Sequence, residues 1–187
     1  LVSEEGGVEG DGIFSEVDIP TGQLLILHEF DDSAPEEGRN PNGELVEFSP
    51  GVFYGTTRDG GANNDGVLYK FDTNTGTYTK LIDFAGNTTG EFSHSGLILA
   101  SNQKMYGTTE RGGGGQGTIF EFDPLSETLS VLHVFTGADG EDSQSGLLET
   151  SPGIFYGMTE SGGTNDDGTL FEYDLNTSTF TKKVDFE

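Results

Sequence analysis

Two stretches of the sequence carry oxygen ligands at spacings close to those of a calcium-binding loop. Asn63, Asp65 and Asp72 occupy positions three, five and twelve of the stretch that begins at Gly61, and the stretch that begins at Gly163 repeats this spacing. Calcium takes carboxylate and carbonyl oxygens of this kind. However, glycine occupies the first ligand position, and Asp72 follows a predicted strand that spans roughly 20 Å. We therefore interpret both stretches as hairpin turns.

A simpler calcium site is an alternative, in which Asp166, Asp167 and the carbonyl groups of a neighbouring loop hold the ion. No other cofactor is indicated. Paired carboxylates could also cleave glycosidic bonds, but a chain with 33 acidic residues places some pair at a suitable distance in any fold. We therefore expect a protein that is not an enzyme.

The three histidines do not form a catalytic or metal-binding set. His28 and His133 take the place in the repeat that Ile82 and Val184 take in the other copies, so we expect them to pack rather than react. His94 has no second histidine near it in the sequence. Because the chain has no Cys, neither a zinc site nor a disulfide framework is predicted.

The charge of the chain excludes several classes of partner. Asp and Glu number 33 against 8 Lys and Arg, which gives a formal net charge of −25. Nucleic-acid binding depends on basic side chains that neutralise phosphates, and an anionic membrane surface also attracts Lys and Arg. No apolar run reaches the length of about 18 residues that a membrane span needs. We expect neither nucleic-acid binding nor membrane insertion by this segment.

A short phrase recurs three times along the chain. Tyr-Gly-Thr-Thr occupies 54–57 and 106–109, and Tyr-Gly-Met-Thr occupies 156–159, each followed by a pair of glycines. The tyrosines are 52 and then 50 residues apart. A period of about 50 residues is typical of the blades of a β-propeller.

Each repeat predicts four short antiparallel strands, A to D, joined as a meander. The glycine of strand B leaves a notch that an aromatic side chain of a neighbouring sheet can enter. Strand C ends in Asp in all four copies, and we expect this Asp to accept backbone N–H groups in the following turn. The residues with these structural roles are Tyr54, Gly55, Thr56, Tyr106, Gly107, Thr108, Tyr156, Gly157, Asp18, Asp72, Asp123 and Asp174.

The predicted fold is therefore an all-β propeller, and residues 1–187 form a single repeat domain. About 3.5 four-stranded blades of about 50 residues are present, whereas closed propellers have about four to eight. The predicted units are a half blade at 1–42 and blades at 43–92, 93–142 and 143–187. We expect the chain to be part of a larger propeller, and completion of the ring by a second chain is the alternative.

In such a meander the B–C and D–A loops lie on one face of the assembly, which we call the loop face. These loops are acidic, and only Arg39, Arg58 and Arg111 oppose the negative charge there. Because binding residues concentrate on variable loops, we expect any binding on this face. The candidate residues are Asp31, Asp32, Asp139, Glu141, Asp142, Asp166 and Asp167.

The stretch 81–123 resembles the GloVer-type tandem repeat of bacterial surface and exported proteins. The resemblance rests on Tyr-Gly-Thr-Thr, the glycine pair and a following Gly-Thr-Ile-Phe, and it extends over essentially the whole chain. It implies a bacterial extracellular or cell-surface location, often with an anchoring segment. It brings no established activity or catalytic residues.

Three short motifs predict glycosylation of an extracellular protein. Asn87 and Asn176 begin N-linked acceptor sequons. Ser33, within Asp-Ser-Ala, resembles an O-glycosylation motif of some surface bacteria.

Together these features favour a non-catalytic surface module for binding or adhesion. Its loop face would bind an extracellular carbohydrate, a cation or a protein. The alternative is a structural protomer that assembles with copies of itself into a surface fibre, its blades completed between subunits. A polysaccharide-acting enzyme is the least favoured hypothesis.

Overall fold

A computed structural model describes residues 1–31, 37–114 and 116–187. These residues form four antiparallel sheets, one of three strands and three of four, and contain no helix. The first sheet contains β1 (Val2–Ser3), β2 (Ile13–Asp18) and β3 (Gln23–Glu29). The second contains β4 (Arg39–Ser49), β5 (Val52–Asp59), β6 (Val67–Asp72) and β7 (Thr77–Asp83). The third contains β8 (Ile98–Leu99), β9 (Met105–Thr109), β10 (Thr118–Asp123) and β11 (Thr128–Val134). The fourth contains β12 (Leu148–Ser151), β13 (Ile154–Met158), β14 (Thr169–Asp174) and β15 (Thr179–Asp185).

Each four-stranded sheet is a meander in which neighbours in sequence pair side by side. The prediction of an all-β fold built from four-stranded antiparallel units is therefore confirmed. The same irregularity recurs where strand C meets strand D, with register shifts after Phe14, Leu68, Ile119 and Leu170. Such bulges increase the local twist of a sheet, so every unit twists at the same place.

The turn between strands C and D is fixed by the aspartate that ends strand C. Asp72 Oδ1 accepts the backbone N–H of Asn74 at 2.9 Å, and Asp174 Oδ1 accepts that of Asn176 at 2.8 Å. Asp123 accepts two N–H groups, from Leu125 and Ser126, and Asp18 accepts that of Thr21. The contacts that span two residues, at Asp72, Asp123 and Asp174, are Asx-turns, in which the side chain replaces a backbone acceptor.

The core lies between consecutive sheets, in three layers of buried aromatic and aliphatic side chains. Between the first and second sheets it contains Phe14, Phe30, Val67, Tyr69 and Phe71. Between the second and third it contains Val46, Tyr54, Leu68, Phe84, Leu97, Met105, Phe120 and Phe122. Between the third and fourth it contains Ala100, Tyr106, Ile119, Phe135, Leu147, Phe155, Phe171 and Tyr173. The sheets therefore stack face to face, and the aromatic side chains supply most of the buried area.

The glycine of the recurring phrase makes room for an aromatic ring of its own sheet. Gly107 pairs directly with Phe120, and a Cβ at Gly107 would lie 2.6 Å from the Cζ atom of that ring. Gly157 and Phe171 repeat the arrangement at 2.4 Å. The expectation that the ring comes from a neighbouring sheet is wrong at this point, because the cross-strand partner is nearer than any residue of the next sheet.

In two of the three copies the tyrosine of the phrase reaches an acidic side chain on the neighbouring strand, whereas Tyr54 pairs with Lys70. Tyr106 Oη donates to Glu121 Oε2 at 2.6 Å, and Tyr156 Oη donates to Glu172. Lys104 Nζ also contacts Glu121, at 2.6 Å. The phenol is thus satisfied at the edge of the core while its ring is buried.

Two of the three histidines lie in the packing between sheets. His28 stacks on Tyr78 with ring centroids 4.4 Å apart, and His133 stacks on Phe180 at 3.8 Å. Their places in strand D pair with strand C as Ile82 does. Burial lowers the pKa of both imidazoles, although Glu37 and Asp139 oppose the shift. A stacked imidazole here replaces an aliphatic side chain.

Candidate binding surface

The D–A loops are joined to the B–C loops by backbone hydrogen bonds on the loop face. Glu91 forms an antiparallel bridge with Arg111, and Glu141 forms the equivalent bridge with Ser161. The N–H of Glu91 donates to Arg111 O at 2.9 Å, and the N–H of Arg111 donates to Glu91 O at 3.2 Å. Side chains from two separate loops are therefore held at fixed positions relative to each other.

The acidic residues predicted to bind a ligand mostly bond to the loops themselves. Asp139 Oδ1 accepts from Thr136 N at 2.8 Å and from its hydroxyl at 2.9 Å, while Oδ2 lies 3.1 Å from His133 Nε2. The hydroxyl of Ser161 is 3.3 Å from both Glu141 Oε1 and Asp142 Oδ2. These carboxylates hold the D–A loop of the fourth sheet in place.

The remaining predicted positions are scattered. Asp166 has a left-handed φ of 65° and accepts the N–H of Gly162, and Asp167 is exposed. Asp31 is partly buried, while Asp32 and Ser33 lie outside the described residues. No group of three or more His, Asp or Glu side chains within 1–31, 37–114 and 116–187 is arranged to hold a metal ion.

The two possible N-glycosylation sites differ in their surroundings. Asn87 is exposed in a D–A loop. The amide of Asn176 contacts Asp174 Oδ1 at 3.2 Å within a C–D turn. Asn176 is exposed as well, so both sequons present an accessible side chain.

The residues that resemble a calcium loop anchor the B–C turn to the end of strand D. Asn63 Nδ2 donates to Phe84 O at 2.8 Å, and Asn165 Nδ2 donates to Phe186 O at 3.0 Å. Asp65 Oδ2 accepts the N–H of Gly86 at 2.8 Å. One side-chain atom of each of these three residues is therefore used in a structural bond.

Phe92 stands out on this face because its backbone conformation is costly for its residue type. The equivalent positions in the other repeats are Asn40 and Asp142, and all three residues have φ between 53° and 58°. Asn and Asp visit this left-handed region readily, whereas a bulky residue does so at a cost. The N–H of Phe92 donates to Asp65 O, and its C=O accepts from Glu110 N, each at 3.0 Å. These two bonds hold the half-buried ring in place.

Two of the three arginines of the chain converge on this ring. The guanidinium carbon of Arg58 lies 5.2 Å from the ring centroid of Phe92, and that of Arg111 lies 5.9 Å from it. Both distances are within the range of cation–π attraction. We call Arg58, Phe92 and Arg111 the arginine clamp.

A polar network beneath the clamp orients the arginines. Asn42 Oδ1 accepts the N–H of Gly43, so its amide nitrogen faces His94 Nδ1 at 3.1 Å. On the other side of the ring, His94 Nε2 lies 2.8 Å from Glu110 Oε2. Arg58 Nε lies 3.0 Å from the same Nε2, and its Nη1 lies 3.1 Å from Asp59.

Two further features surround this network. Thr56, which pairs with Asn42, is 1% exposed, and its hydroxyl has no hydrogen-bond partner in the described part of the chain. Burial, followed by the nearby charge of Asp65, raises the pKa of Glu91.

The clamp and network together offer hydrogen-bond donors, acceptors and an aromatic ring, as a site for a polar ligand requires.

Sequence reasoning recognised these arginines only as charges opposed to the acidic loops, and it missed Phe92. Two signals were present in the sequence. Phe92 occupies a place where the other copies have Asn40 and Asp142, and the chain contains only three arginines. What the sequence did not reveal is that residues 36 positions apart, Arg58 and His94, come into contact.

Comparison with solved structures identifies the architecture. The chain is similar to TolB from Acinetobacter baumannii, with a TM-score of 0.58 and 14% identity over 94% of this chain and 38% of that one. It is also similar to a puromycin-hydrolysing peptidase of Mycobacterium tuberculosis, with a TM-score of 0.54 and 14% identity over 92% of this chain and 24% of that one. At these identities the likeness shows the fold alone, and it confirms the predicted β-propeller architecture.

A third similar structure is the extracellular domain of a proposed one-component system from B. thetaiotaomicron. Its TM-score is 0.55 and its identity 15%, over 76% of this chain and 16% of that one. The chain thus spans well under half the length of the structures that it matches.

The described residues contain no helix that is long and apolar enough to cross a lipid bilayer. No curated protein sequence gives a significant match to this chain. The sequence pattern of the Gloeobacter/Verrucomicrobia repeat, by contrast, matches residues 1–187, which agrees with the GloVer-type resemblance and shows that the chain belongs to this repeat family.

Proposed function

We propose that this chain is a non-catalytic module that acts outside the bacterial cell and binds a carbohydrate through its loop face. The observation that carries the proposal is Phe92, a bulky side chain held at a φ of 58° where two other repeats place Asn40 and Asp142. Strained backbone of this kind persists where the surroundings over-determine it, and it is frequent at ligand sites. The ring is surrounded by arginine, carboxylate and amide groups, which suit the hydroxyls of a sugar.

The test is a substitution that separates folding from binding. Phe92→Asn places a residue that accepts a left-handed φ at this position, so the free energy of unfolding should stay within about 1 kcal/mol of wild type. Binding should nevertheless be lost, because the ring and its contacts with both arginines are gone. The wild-type chain is first screened on an array of bacterial, algal and plant glycans, and Phe92→Asn is then tested on each glycan that binds.

A matched control comes from the repeat itself. Glu110 is 7% exposed beside His94, whereas Glu160 takes the same place in the fourth repeat and is exposed. Glu110→Gln should weaken glycan binding and Glu160→Gln should not. Equal binding by wild type and Phe92→Asn, or an array on which wild type binds nothing, would contradict the proposal.

A second candidate function is self-assembly. Between the first and second sheets and between the third and fourth, a residue near the end of one strand D packs on the start of the next strand D, as His133 does on Phe180. The corresponding positions on the outer faces are Val184 of the fourth sheet and Leu24 of the first, which are 45% and 53% exposed. These faces could accept a sheet of the same kind, either from a longer chain that forms a larger propeller or from another copy in a fibre.

Cysteine cross-linking distinguishes these cases, because the chain has no Cys of its own. If copies join end to end, the double variant Leu24→Cys, Val184→Cys should form disulfide-linked oligomers under mild oxidation. The double variant Leu125→Cys, Val184→Cys should not, since Leu125 is 85% exposed in a C–D turn. Monomers from both variants would exclude the fibre and leave the larger propeller.

A further inference from the structure

The loop face of this strongly acidic chain contains every arginine of the sequence. The lysines lie in strands and in an A–B turn, at Lys70, Lys80, Lys104, Lys182 and Lys183, and Lys182 Nζ reaches Ala138 O in a D–A loop at 3.0 Å. A guanidinium differs from an ammonium group in presenting a planar set of donors that matches a carboxylate or a sulfate. The use of two of the three arginines beside one aromatic ring therefore bears on the chemistry of the ligand.

At the clamp, the arginine side chains are more exposed than the carboxylates that pair with them. The side chain of Arg111 is 55% exposed and that of Arg58 is 36% exposed. The side chains of their carboxylate partners, Glu110 and Asp59, are only 10% and 13% exposed. In each of these two pairs the carboxylate thus lies deeper than the arginine, and the guanidinium group is the more accessible charge.

The network below the clamp fixes the orientation of Arg58. His94 Nε2 lies 2.8 Å from Glu110 Oε2 and 3.0 Å from Arg58 Nε. Arg58 Nε donates to this His94 nitrogen, and Arg58 Nη1 donates to Asp59 Oδ2 at 3.1 Å. The guanidinium is therefore held in one orientation, which reduces the entropy that a ligand must lose on binding.

We propose that the arginine clamp binds the anionic group, a carboxylate or a sulfate, of an acidic glycan. The proposal rests on the carbohydrate-binding function above and specifies the class of sugar. The guanidinium groups of Arg58 and Arg111 donate to the anionic oxygens, while the ring of Phe92 keeps the two side chains apart and excludes water. The net charge of −25 repels a polyanion at long range, but at about 0.15 M salt this repulsion is screened beyond about 8 Å.

The test compares sugars that differ only in charge. Calorimetry at about 0.15 M salt measures the binding of oligogalacturonate, of the same oligosaccharide with its carboxylates methyl-esterified, and of dextran sulfate. The wild-type chain should bind a charged sugar and should bind the methyl ester at least about tenfold more weakly. Preference for oligogalacturonate identifies a carboxylate ligand, and preference for dextran sulfate identifies a sulfate ligand.

Substitutions then identify which arginines the sugar contacts. Arg58→Gln and Arg111→Gln should each weaken binding of the preferred sugar about tenfold or more, as expected for the loss of a hydrogen bond between charged groups. Arg58→Lys should restore only part of the affinity, because it keeps the charge and loses the planar fork. Arg39→Gln is the control, since it removes the same charge from the same face, and its Nη2 bonds to Asn64 at 3.0 Å away from the ring.

Each outcome decides the proposal. Equal binding of the charged sugar and its methyl ester would overturn the acidic-glycan assignment and leave carbohydrate binding standing. Equal losses for Arg39→Gln and Arg58→Gln would overturn the clamp in favour of a diffuse charge effect. If none of the three sugars binds, the assignment is wrong, and the glycan array and Phe92→Asn decide the broader function separately. Unfolding midpoints of all variants establish that each one is folded.

Discussion

Gly43→Ala should lower the free energy of unfolding by about 2–5 kcal/mol. Gly43 has a φ of 81°, and a Cβ built there would lie 2.2 Å from Gly96 N and 2.3 Å from Gly96 Cα. A left-handed conformation costs an alanine roughly 1–2 kcal/mol, and overpacking adds roughly 1–3 kcal/mol. The second and third sheets meet at this point, where Glu44 and Gly96 form a parallel bridge, so neither backbone can move without separating the sheets.

The control for this substitution lies two repeats further along. Gly146 takes the same place in the fourth repeat, yet a Cβ there would meet only Ser95 O at 3.6 Å, an ordinary contact, and its φ is outside the left-handed region. Gly146→Ala should change the free energy of unfolding by less than about 0.5 kcal/mol. Urea unfolding measures both variants. Equal stability of Gly43→Ala and Gly146→Ala would mean that the two sheets do not meet through Gly43.

Phe120→Ala should be the other strongly destabilising change, by about 3–5 kcal/mol. The ring is fully buried between the second and third sheets and packs edge-on against Phe84 with centroids 5.5 Å apart. Its removal leaves a cavity that the surrounding strands cannot close without losing their pairing. Leu125→Ala is the control, because Leu125 is 85% exposed, and it should cost less than about 0.5 kcal/mol.

A double-mutant cycle adds a sharper test of the same packing. Gly107→Ala alone should destabilise the chain, because its Cβ would lie 2.6 Å from the Phe120 ring. In the Phe120→Ala background the ring is absent, so Gly107→Ala should cost much less. A coupling energy of about 1 kcal/mol or more is expected from urea unfolding of the four proteins. Strictly additive costs would contradict the role that we assign to the glycine of the recurring phrase.

The fold could be predicted because the same structural unit recurs several times in the sequence. Tyr54, Tyr106 and Tyr156 mark three copies of one packing unit, and the terminal aspartates mark the turn between strands C and D. Comparison of the copies shows which positions are structural. His133, for example, takes the place that Val184 has in another copy, and it was therefore expected to pack. The sequence could not tell whether the ring beside Gly107 belongs to the same sheet, since that depends on strand register.

The candidate site could not be predicted in the same way, because it is built from differences between copies. Phe92, Arg58 and Arg111 each occur in one repeat only, and they meet across two sheets and two loops. The acidic residues of the D–A loop that precedes the fourth sheet, such as Asp139, attracted attention by their charge, but they bond to their own loop. Counting charges along a chain does not show which of them are buried beneath others.

The most direct test of the arginine clamp uses the small number of arginines in this chain. With three arginines, a ¹⁵N spectrum of the side-chain Nε–H groups has three signals, which single substitutions assign. On titration with oligogalacturonate or dextran sulfate, whichever binds more tightly, the signals of Arg58 and Arg111 should shift together and saturate at the calorimetric affinity, while that of Arg39 stays in place. Saturable binding with no movement of the Arg58 and Arg111 signals would show that the ligand lies elsewhere and would contradict the arginine clamp.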